Sequence, residues 1–437
     1  MIPCHGLEPD LSRCNRCGFC QDVCPTYAVS RNELDVARGR LRALGQVARG
    51  QCAPSVAPEL LVQADQCLLC GACSANCPSG VPTEDIIQKA RTGMLAQQGF
   101  SLFHSLVYRG VLDRRERLEK ITALIRLLDR TSLRNRVARS AAMAALPVIA
   151  RAATALPEQL DIPARKQLGS GYEGVPGREP ICYFMGCGTN VFTPDAGLAL
   201  VRCLETAGFE VAIPRVPCCG GPHFSAGDMA KARRLARENI GIITRLSPKA
   251  VVTDCATCAH TLHSYAGFFD ADDPIQEKIR ALAEKVVDIH QFLIDHLHTN
   301  AFQSGLAPGR KTVVTYHDPC HAVRGMQVSQ SPRALLAAIP GIQFREMEGA
   351  DTCCGGAGSY AFRHPGMSQA VLDRKIDAIV RTRAAVVSTS CPSCVLQISA
   401  GLRRRRLNIR VAHPITLAAQ ALGNKRPGKK NNTRRPR

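Results

Sequence analysis

The chain has no tryptophan, and aromatic residues of all kinds make up only 5% of its 437 residues. Single-stranded nucleic acid is gripped on aromatic platforms, and duplex readers carry recognisable motifs. No homeodomain, zinc-finger or RNP-type pattern occurs, so no nucleic-acid partner is expected despite a formal net charge of +20. Long apolar runs are missing as well. Nothing approaches the roughly 18 unbroken apolar residues of a membrane span. The nearest stretch, AAMAALPVIA at 141–150, holds a proline and has Arg139 and Arg151 beside it, so it reads as a buried helix. The opening MIPCHGLEPDLSRC has neither the basic start nor the apolar core of a secretory leader. There is no P-loop. Gly169, Gly171 and Gly174 do spell G-x-G-x-x-G. No strand leads into them and no helix opens there, so the dinucleotide fingerprint does not apply. The sequence offers no nucleotide or flavin pocket of its own.

What the chain has in excess is cysteine, 22 residues. In a long chain without a leader, that density points to metal rather than to disulfides. VPCCGGPHFS (216–225) and DTCCGGAGSY (351–360) each set two thiols side by side. Neighbouring Cα atoms lie about 3.8 Å apart, below the roughly 4.4–6.8 Å that bridged cysteines prefer. Thiolate ligands would also lower the working charge beneath the formal +20. The remaining excess is concentrated in Arg403–Arg406 and in the tail from 424 to 437, with seven cations and no acid. That tail reads as a disordered basic arm over 423–437. Its charge suits an acidic partner subunit or an anionic membrane face.

Cysteine is unevenly distributed. Residues 1–95 hold ten and residues 96–181 none. The quiet stretch shows apolar residues at three- and four-residue spacing, which predicts one or two amphipathic helices. LGSGYEGVPGREP (168–180) then reads as a linker, closing a connector over 96–180. Beyond it the chain repeats. Cys187 and Cys320, Cys218 and Cys353, and Cys255 and Cys391 recur at separations of 133, 135 and 136 residues. Such a shared period indicates duplication, with one cysteine-rich unit over 181–300 and another over 308–422. β-Branched runs (TVVTY, AVVTD, AVVS) alternate with helical patterns, predicting parallel α/β sheets with the cysteine loops at the strand C-terminal ends. The expected fold is therefore mixed: a mainly α-helical two-cluster ferredoxin domain over 1–95, then a duplicated α/β domain.

CNRCGFCQDVCP (14–25) and CLLCGACSANCP (67–78) are both C-x2-C-x2-C-x3-C-P, the bacterial ferredoxin run for [4Fe–4S] clusters. Three cysteines at intervals of three let one loop wrap three corners of a cubane, and the fourth thiolate is carried away at the proline. Zinc frameworks instead set two C-x2-C pairs apart. In two-cluster ferredoxins the fourth cysteine serves the other cluster. This assigns Cys14, Cys17, Cys20 and Cys77 to one cluster, and Cys67, Cys70, Cys73 and Cys24 to the other.

Each repeat offers five cysteines: Cys187, Cys218, Cys219, Cys255 and Cys258, then Cys320, Cys353, Cys354, Cys391 and Cys394. The glycine pair behind each double cysteine lets the backbone turn tightly. C…CCG…C-x-x-C, doubled, after two ferredoxin runs, resembles the glycolate oxidase iron–sulfur subunit family. Relatives include the anaerobic glycerol-3-phosphate dehydrogenase iron–sulfur subunit and the cysteine-rich subunit of heterodisulfide reductase. ARGRL (37–41), NCPSGV (76–81), YFMGC (183–187), HDPCH (317–321) and the closing AHPITLAAQAL carry the resemblance across nearly the whole chain. It implies an electron-transfer subunit working with a separate FAD-containing dehydrogenase that oxidises a 2-hydroxy acid, glycolate first and lactate next, with electrons going towards quinone. It implies further metal in the repeats, an iron–sulfur cluster or zinc, and leaves a second reading in which a CCG cluster reduces a disulfide. The expected location is cytoplasmic, peripheral at the inner face of the membrane. Outside the motifs, Cys203 reads as core, and Cys4, Cys52 and Cys182 have no assigned role. His223, His260, His317 and His321 are expected to support or pack beside the ligand cysteines rather than to ligate.

Overall fold

Each ferredoxin-type run coils in the same way, and the reason is local. The computed structural model describes residues 6–52, 57–100, 104–112, 114–130, 160–169, 172, 180–297, 301–302 and 311–422. The 141–150 stretch, most of the 168–180 linker, Cys4 and the 423–437 tail lie outside the described residues. Arg16 and Leu69, at matching places in the two runs, take positive φ of 63° and 50°. Gly18 and Gly71 follow at 94° and 76°, and each opens a one-turn helix, Phe19–Val23 or Ala72–Ala75. Two left-handed residues this close curl the backbone into a loop whose three thiols face one centre.

Helices α1 (Ala37–Ala48), α2 (Ala57–Asp65) and α3 (Thr83–Gln98) frame these loops, and α4 (Arg115–Arg130) lies in the connector. Leu41, Leu44, Leu61, Ile86, Ile87 and Ala90 fill the space between the first three. Gly39 is needed where α1 crosses the preceding turn, since a Cβ there would stand 1.8 Å from the Glu33 carbonyl oxygen. Two buried arginines close the C-terminal end of α2. Arg40 donates to the carbonyls of Gln63 and Gln66 at 3.1 and 3.2 Å. Arg91 donates to those of Ala64, Asp65 and Cys67 at 3.0, 3.1 and 2.6 Å. The last carbonyls of a helix lack intrahelical partners and carry the negative end of its dipole, so the guanidiniums answer both needs. Arg91 also reaches the Ser225 carbonyl at 2.7 Å, which fastens this unit to the cysteine-rich repeats.

The first repeat runs β1 (Ile181–Tyr183), α5 (Pro194–Thr206), β2 (Val211–Ala212), α6 (Met229–Leu246), β3 (Ala250–Val252), α7 (Ala256–His263) and α8 (Ile289–His296). The second runs β4 (Thr312–Tyr316), α9 (Gln330–Ala338), β5 (Ile342–Phe344), α10 (Pro365–Arg381), β6 (Val386–Ser388), α11 (Pro392–Arg404), β7 (Arg410–Ala412) and α12 (Pro414–Ala421). The sheets are ordered β2-β1-β3 and β5-β4-β6-β7, and every pairing is parallel. β1, β3 and β6 are buried at every residue, as parallel strands covered on both faces must be. In α6 the buried Ala232, Leu235, Ala236, Asn239, Ile240 and Ile243 recur at three- and one-residue steps, the stripe of an amphipathic helix.

The repeats interlock. The last helix of the second, α12, packs on the first helix of the first, α5, and reciprocally α8 packs on α9. Both large cores consequently draw on both repeats: Val251, Leu262 and Ile279 meet Ile376 and Ile398 in one, and Leu200 and Val252 meet Val314 and Ile415 in the other.

Arg91→Met keeps the apolar stem and leaves four buried carbonyls without their donor. Each unmade bond of this kind costs about 1–3 kcal/mol. The thermal midpoint of the anaerobic protein should fall by roughly 5 °C or more, with Arg91→Lys falling less. An unchanged midpoint for Arg91→Met would show that the guanidinium does not carry this junction.

Candidate metal centres

Cys24 stands between the two runs, close enough to Cys20 to help raise that thiol. It lines one small cavity together with Cys67, Cys70 and Cys73, and Pro25, Thr26, Arg40 and Glu84 complete the wall. Cys14 and Cys77 both pack against the α1–α3 core. Cys20 has its thiol pushed up by burial and by the neighbouring Cys14, while its bond to the Arg38 backbone opposes this. The first run lies at the surface, where Cys17 is exposed and Phe19 is 54% exposed. The second is less exposed: its cysteines are half-buried, and Leu68, Gly71 and Ala72 are buried. Burial, and then the proximity of Cys353 and Cys320, push the Cys70 thiol well above the usual range. Leu68, Cys70, Cys353, Tyr360 and Val371 form one apolar cluster, so the second ferredoxin-type run abuts the second repeat.

The ten repeat cysteines form a single row. Cys187 neighbours Cys218, which neighbours Cys219, then Cys258 and then Cys255. Cys255 then meets Cys391 across the repeat boundary, and the row continues through Cys394, Cys354 and Cys353 to Cys320. All but the two terminal members are buried. A row of sulfur donors without disulfides, in an apolar interior, is a ligand set for soft metal.

The CCGG signature now has a part-by-part account. The first glycine takes positive φ, 92° at Gly220 and 81° at Gly355, and a Cβ on Gly355 would stand 2.6 Å from the Ser368 carbonyl oxygen. The second glycine gives its N–H to the second thiol of the pair. Cys219 is held well below the usual thiol range by Cys218, Cys258 and the Gly221 N–H; Cys354 likewise by Cys353, Cys394 and the Gly356 N–H. Their donors rise in turn: Cys218 and Cys394 go well above the range, and Cys353 to about 12. Cys255 and Cys391 stand at the N-caps of α7 and α11; Cys391 is held well below the usual thiol range by Cys255 and Cys394, while Cys255 is pushed well above it.

One histidine departs from expectation. His317 is buried, its Nδ1 lies 3.1 Å from the Ala350 carbonyl, and its Nε2 has no hydrogen-bond partner. Ring nitrogen and the sulfurs of Cys354 and Cys394 all lie within 4.8 Å of one another. Burial pushes its pKa down to about 3, which keeps the ring neutral. The first repeat has Phe184 here: Phe184 N–H bonds the Val252 carbonyl as His317 N–H bonds that of Ser388, both at 2.9 Å. Aligning YFMGC with YHDPC would have exposed the difference. His321 Nδ1 pairs with Thr257 Oγ1 at 3.0 Å, and that hydroxyl lies 3.6 Å from Cys391 Sγ. His260 stacks on His321, and His223 lies buried edge-on to Tyr108, so these three support or pack. Cys203 and Cys182 are core residues, and Cys52 packs half-buried beside the α1–α3 core.

Comparison with known proteins matches this architecture. Residues 10–81 fit a 4Fe-4S dicluster domain, and residues 181–263 and 314–399 each fit the cysteine-rich CCG domain. The chain is 32% identical over 431 residues to the probable glycolate oxidase iron-sulfur subunit of Bacillus subtilis, covering 96% of this chain and 95% of that one. It is 29% identical over 244 residues to lactate utilization protein A 2 of Bacillus cereus, which covers 55% of this chain and 98% of that one. A fumarate reductase (CoM/CoB) subunit of Methanothermobacter marburgensis is 32% identical over 244 residues, 55% of this chain and 46% of that one. Dicluster run, doubled CCG domain and full-length similarity coincide, and the chain belongs to the glycolate oxidase iron–sulfur subunit family.

Proposed function

We propose that this chain is the electron-transfer subunit of a flavin-dependent 2-hydroxy-acid dehydrogenase, with glycolate as the first substrate and a separate FAD-containing subunit performing the oxidation. Cys14, Cys17, Cys20 and Cys77 would hold one [4Fe–4S] cluster, and Cys24, Cys67, Cys70 and Cys73 the other. The five cysteines of each repeat would hold a further centre, an iron–sulfur cluster or zinc. Bound at these thiolates, such clusters supply one-electron carriers. The donor chemistry fits: Cys24 shares a cavity with the second run, and Nε2 of His317 is an orphaned donor aimed at two cysteines.

The observation that supports the reading most directly is the order of the cysteine sets. An exposed first run, beside Phe19, leads to a less exposed second run; that run touches the second repeat through Cys70, and the second repeat touches the first through Cys391 and Cys255. Among the described residues no helix is long and apolar enough to cross a membrane. Electrons would leave towards quinone or another acceptor through a peripheral contact.

The isolated chain should not oxidise glycolate, and mixing it with its flavoprotein should restore dye-linked oxidation. Glycolate oxidation by this chain alone would refute the assignment. Cys77→Ser should remove about four irons per chain, with spectroscopic loss confined to the cluster near residue 17. Loss confined to the cluster near residue 70 would reverse the crossover. His317→Phe copies the first repeat at the second; it should alter the electron paramagnetic resonance or Mössbauer signature of the second CCG centre alone. Identical spectra would show that the ring serves only packing.

A further inference from the structure

A cavity of about 520 Å³ lies beside the first CCG set, and no motif accounts for it. Its walls are the start of α4, the short helix Ala164–Leu168, the segment 213–217 that leads into Cys218, and the middle of α6. Six cations line it, Arg114, Arg115, Arg165, Lys166, Arg215 and Arg234, against three carboxylates. Arg115 and Arg165 are half-buried and the other four are exposed; drawing like charges together out of water is costly, and an anion between them offsets that cost.

The wall nearest the cysteines carries the clearest sign of a missing partner. Arg115 bonds the Val216 carbonyl through Nη1 at 3.4 Å, but its buried Nε and Nη2 have no hydrogen-bond partner among the described residues. Glu119 stands 3.6 Å from Nε, too far for a hydrogen bond, and its Oε1 already accepts from Asn190 Nδ2 at 2.7 Å. The edge left open, Nε with Nη2, is the fork that takes a carboxylate through two parallel bonds. Arg165 is anchored by the carbonyls of Ile213 and Pro214, and its buried Nε is likewise unpartnered. Burial and then repulsion from Arg115 pull Arg165 down to about 10, so two guanidiniums crowd one space in which Glu119 is the acidic neighbour of both. Arg115 also interacts electrostatically with Cys187 and Cys258, which places the open fork against the first CCG set.

We infer that this cavity is a binding site for a small organic anion carrying two or more carboxylates, held by Arg115 and Arg165 next to the first CCG set. The apolar surfaces of Leu168, Ile213, Val216 and Leu235 in the same wall give the carbon skeleton a contact that a bare inorganic anion lacks. Arg115 neighbours Cys187, one end of the cysteine row, whereas Cys70 neighbours Cys320 at the other end.

Binding is measured on the anaerobic, cluster-loaded chain by isothermal titration with tricarballylate, a tricarboxylate that chelates iron poorly, at constant ionic strength. Saturable one-site binding with a dissociation constant below about 1 mM is expected. Arg115→Gln and Arg165→Gln should each weaken it tenfold or more, and Lys166→Gln at the exposed rim two- to threefold. Retained cluster absorbance identifies variants that remain folded, and Lys166→Gln tests the site if neither buried variant does. No saturable binding, equal binding of inorganic phosphate, or affinity unmoved by these substitutions would overturn the proposal. The measurement needs neither the flavoprotein nor glycolate, so its outcome is independent of the electron-transfer assignment.

Discussion

The thiols of Cys255 and Cys391 meet across the boundary between the repeats, and this contact makes two five-cysteine sets one row. It can form only where the N-terminal ends of α7 and α11 meet. The Ala256 N–H donates to the Ser390 carbonyl at 2.9 Å, and Nε2 of His413 lies 2.8 Å from the Asp254 carbonyl. His290 and His413, at the starts of α8 and α12, stack at 5.8 Å over the same region. The reciprocal packing of α12 on α5 and α8 on α9 serves this demand: two sheets that did not interlock would leave the cysteine loops on different surfaces. Interlocking puts both loops in one interior. The interior supplies apolar walls.

Duplication did not make the halves equivalent. Where the first repeat puts Phe184 over its paired cysteines, the second puts a neutral histidine with an open nitrogen. Beside the first set stands an open guanidinium; beside the second stands the ferredoxin loop at Cys70. The second sheet has a fourth strand, β7, where the first has only an isolated bridge from Val251 to Val286. Each difference falls at the cysteines or at the edge that holds them, so the two sets experience different fields while keeping one ligand pattern.

Much of this was legible in the sequence. The matching separations of three cysteine pairs announced the duplication, and the β-branched runs marked β3, β4 and β6. The ferredoxin runs specified their own loops, because glycine after the second cysteine has one geometric use there. What stayed hidden shares a physical cause. Arg40, Arg91 and Arg115 act through carbonyls or sulfurs brought to them by distant parts of the chain, and an arginine in a helical pattern reads as a solvated face. His317 was visible as a residue beside a ligand but not as one aimed at two others. That aim depends on α10 and α11 delivering Cys354 and Cys394 to the end of β4.

Residues 65–70 show why the ferredoxin unit and the repeats must move together. Asp65 accepts from Arg363 and pairs with His364, whose burial pushes its pKa down to about 4. Tyr360 donates to the Gln66 carbonyl at 3.1 Å, and Leu68 and Cys70 pack on Cys353. On the other side, Arg40 and Arg91 hold the carbonyls of residues 63 to 67. The segment that starts the second ferredoxin run is thus fixed from both faces, by buried bonds to each unit. A hinge there would leave several of those bonds unmade at about 1–3 kcal/mol each. The spacing between Cys70 and the second CCG set is therefore set by the same hydrogen bonds that cap α2, and a relay at constant distance follows from how one helix is ended.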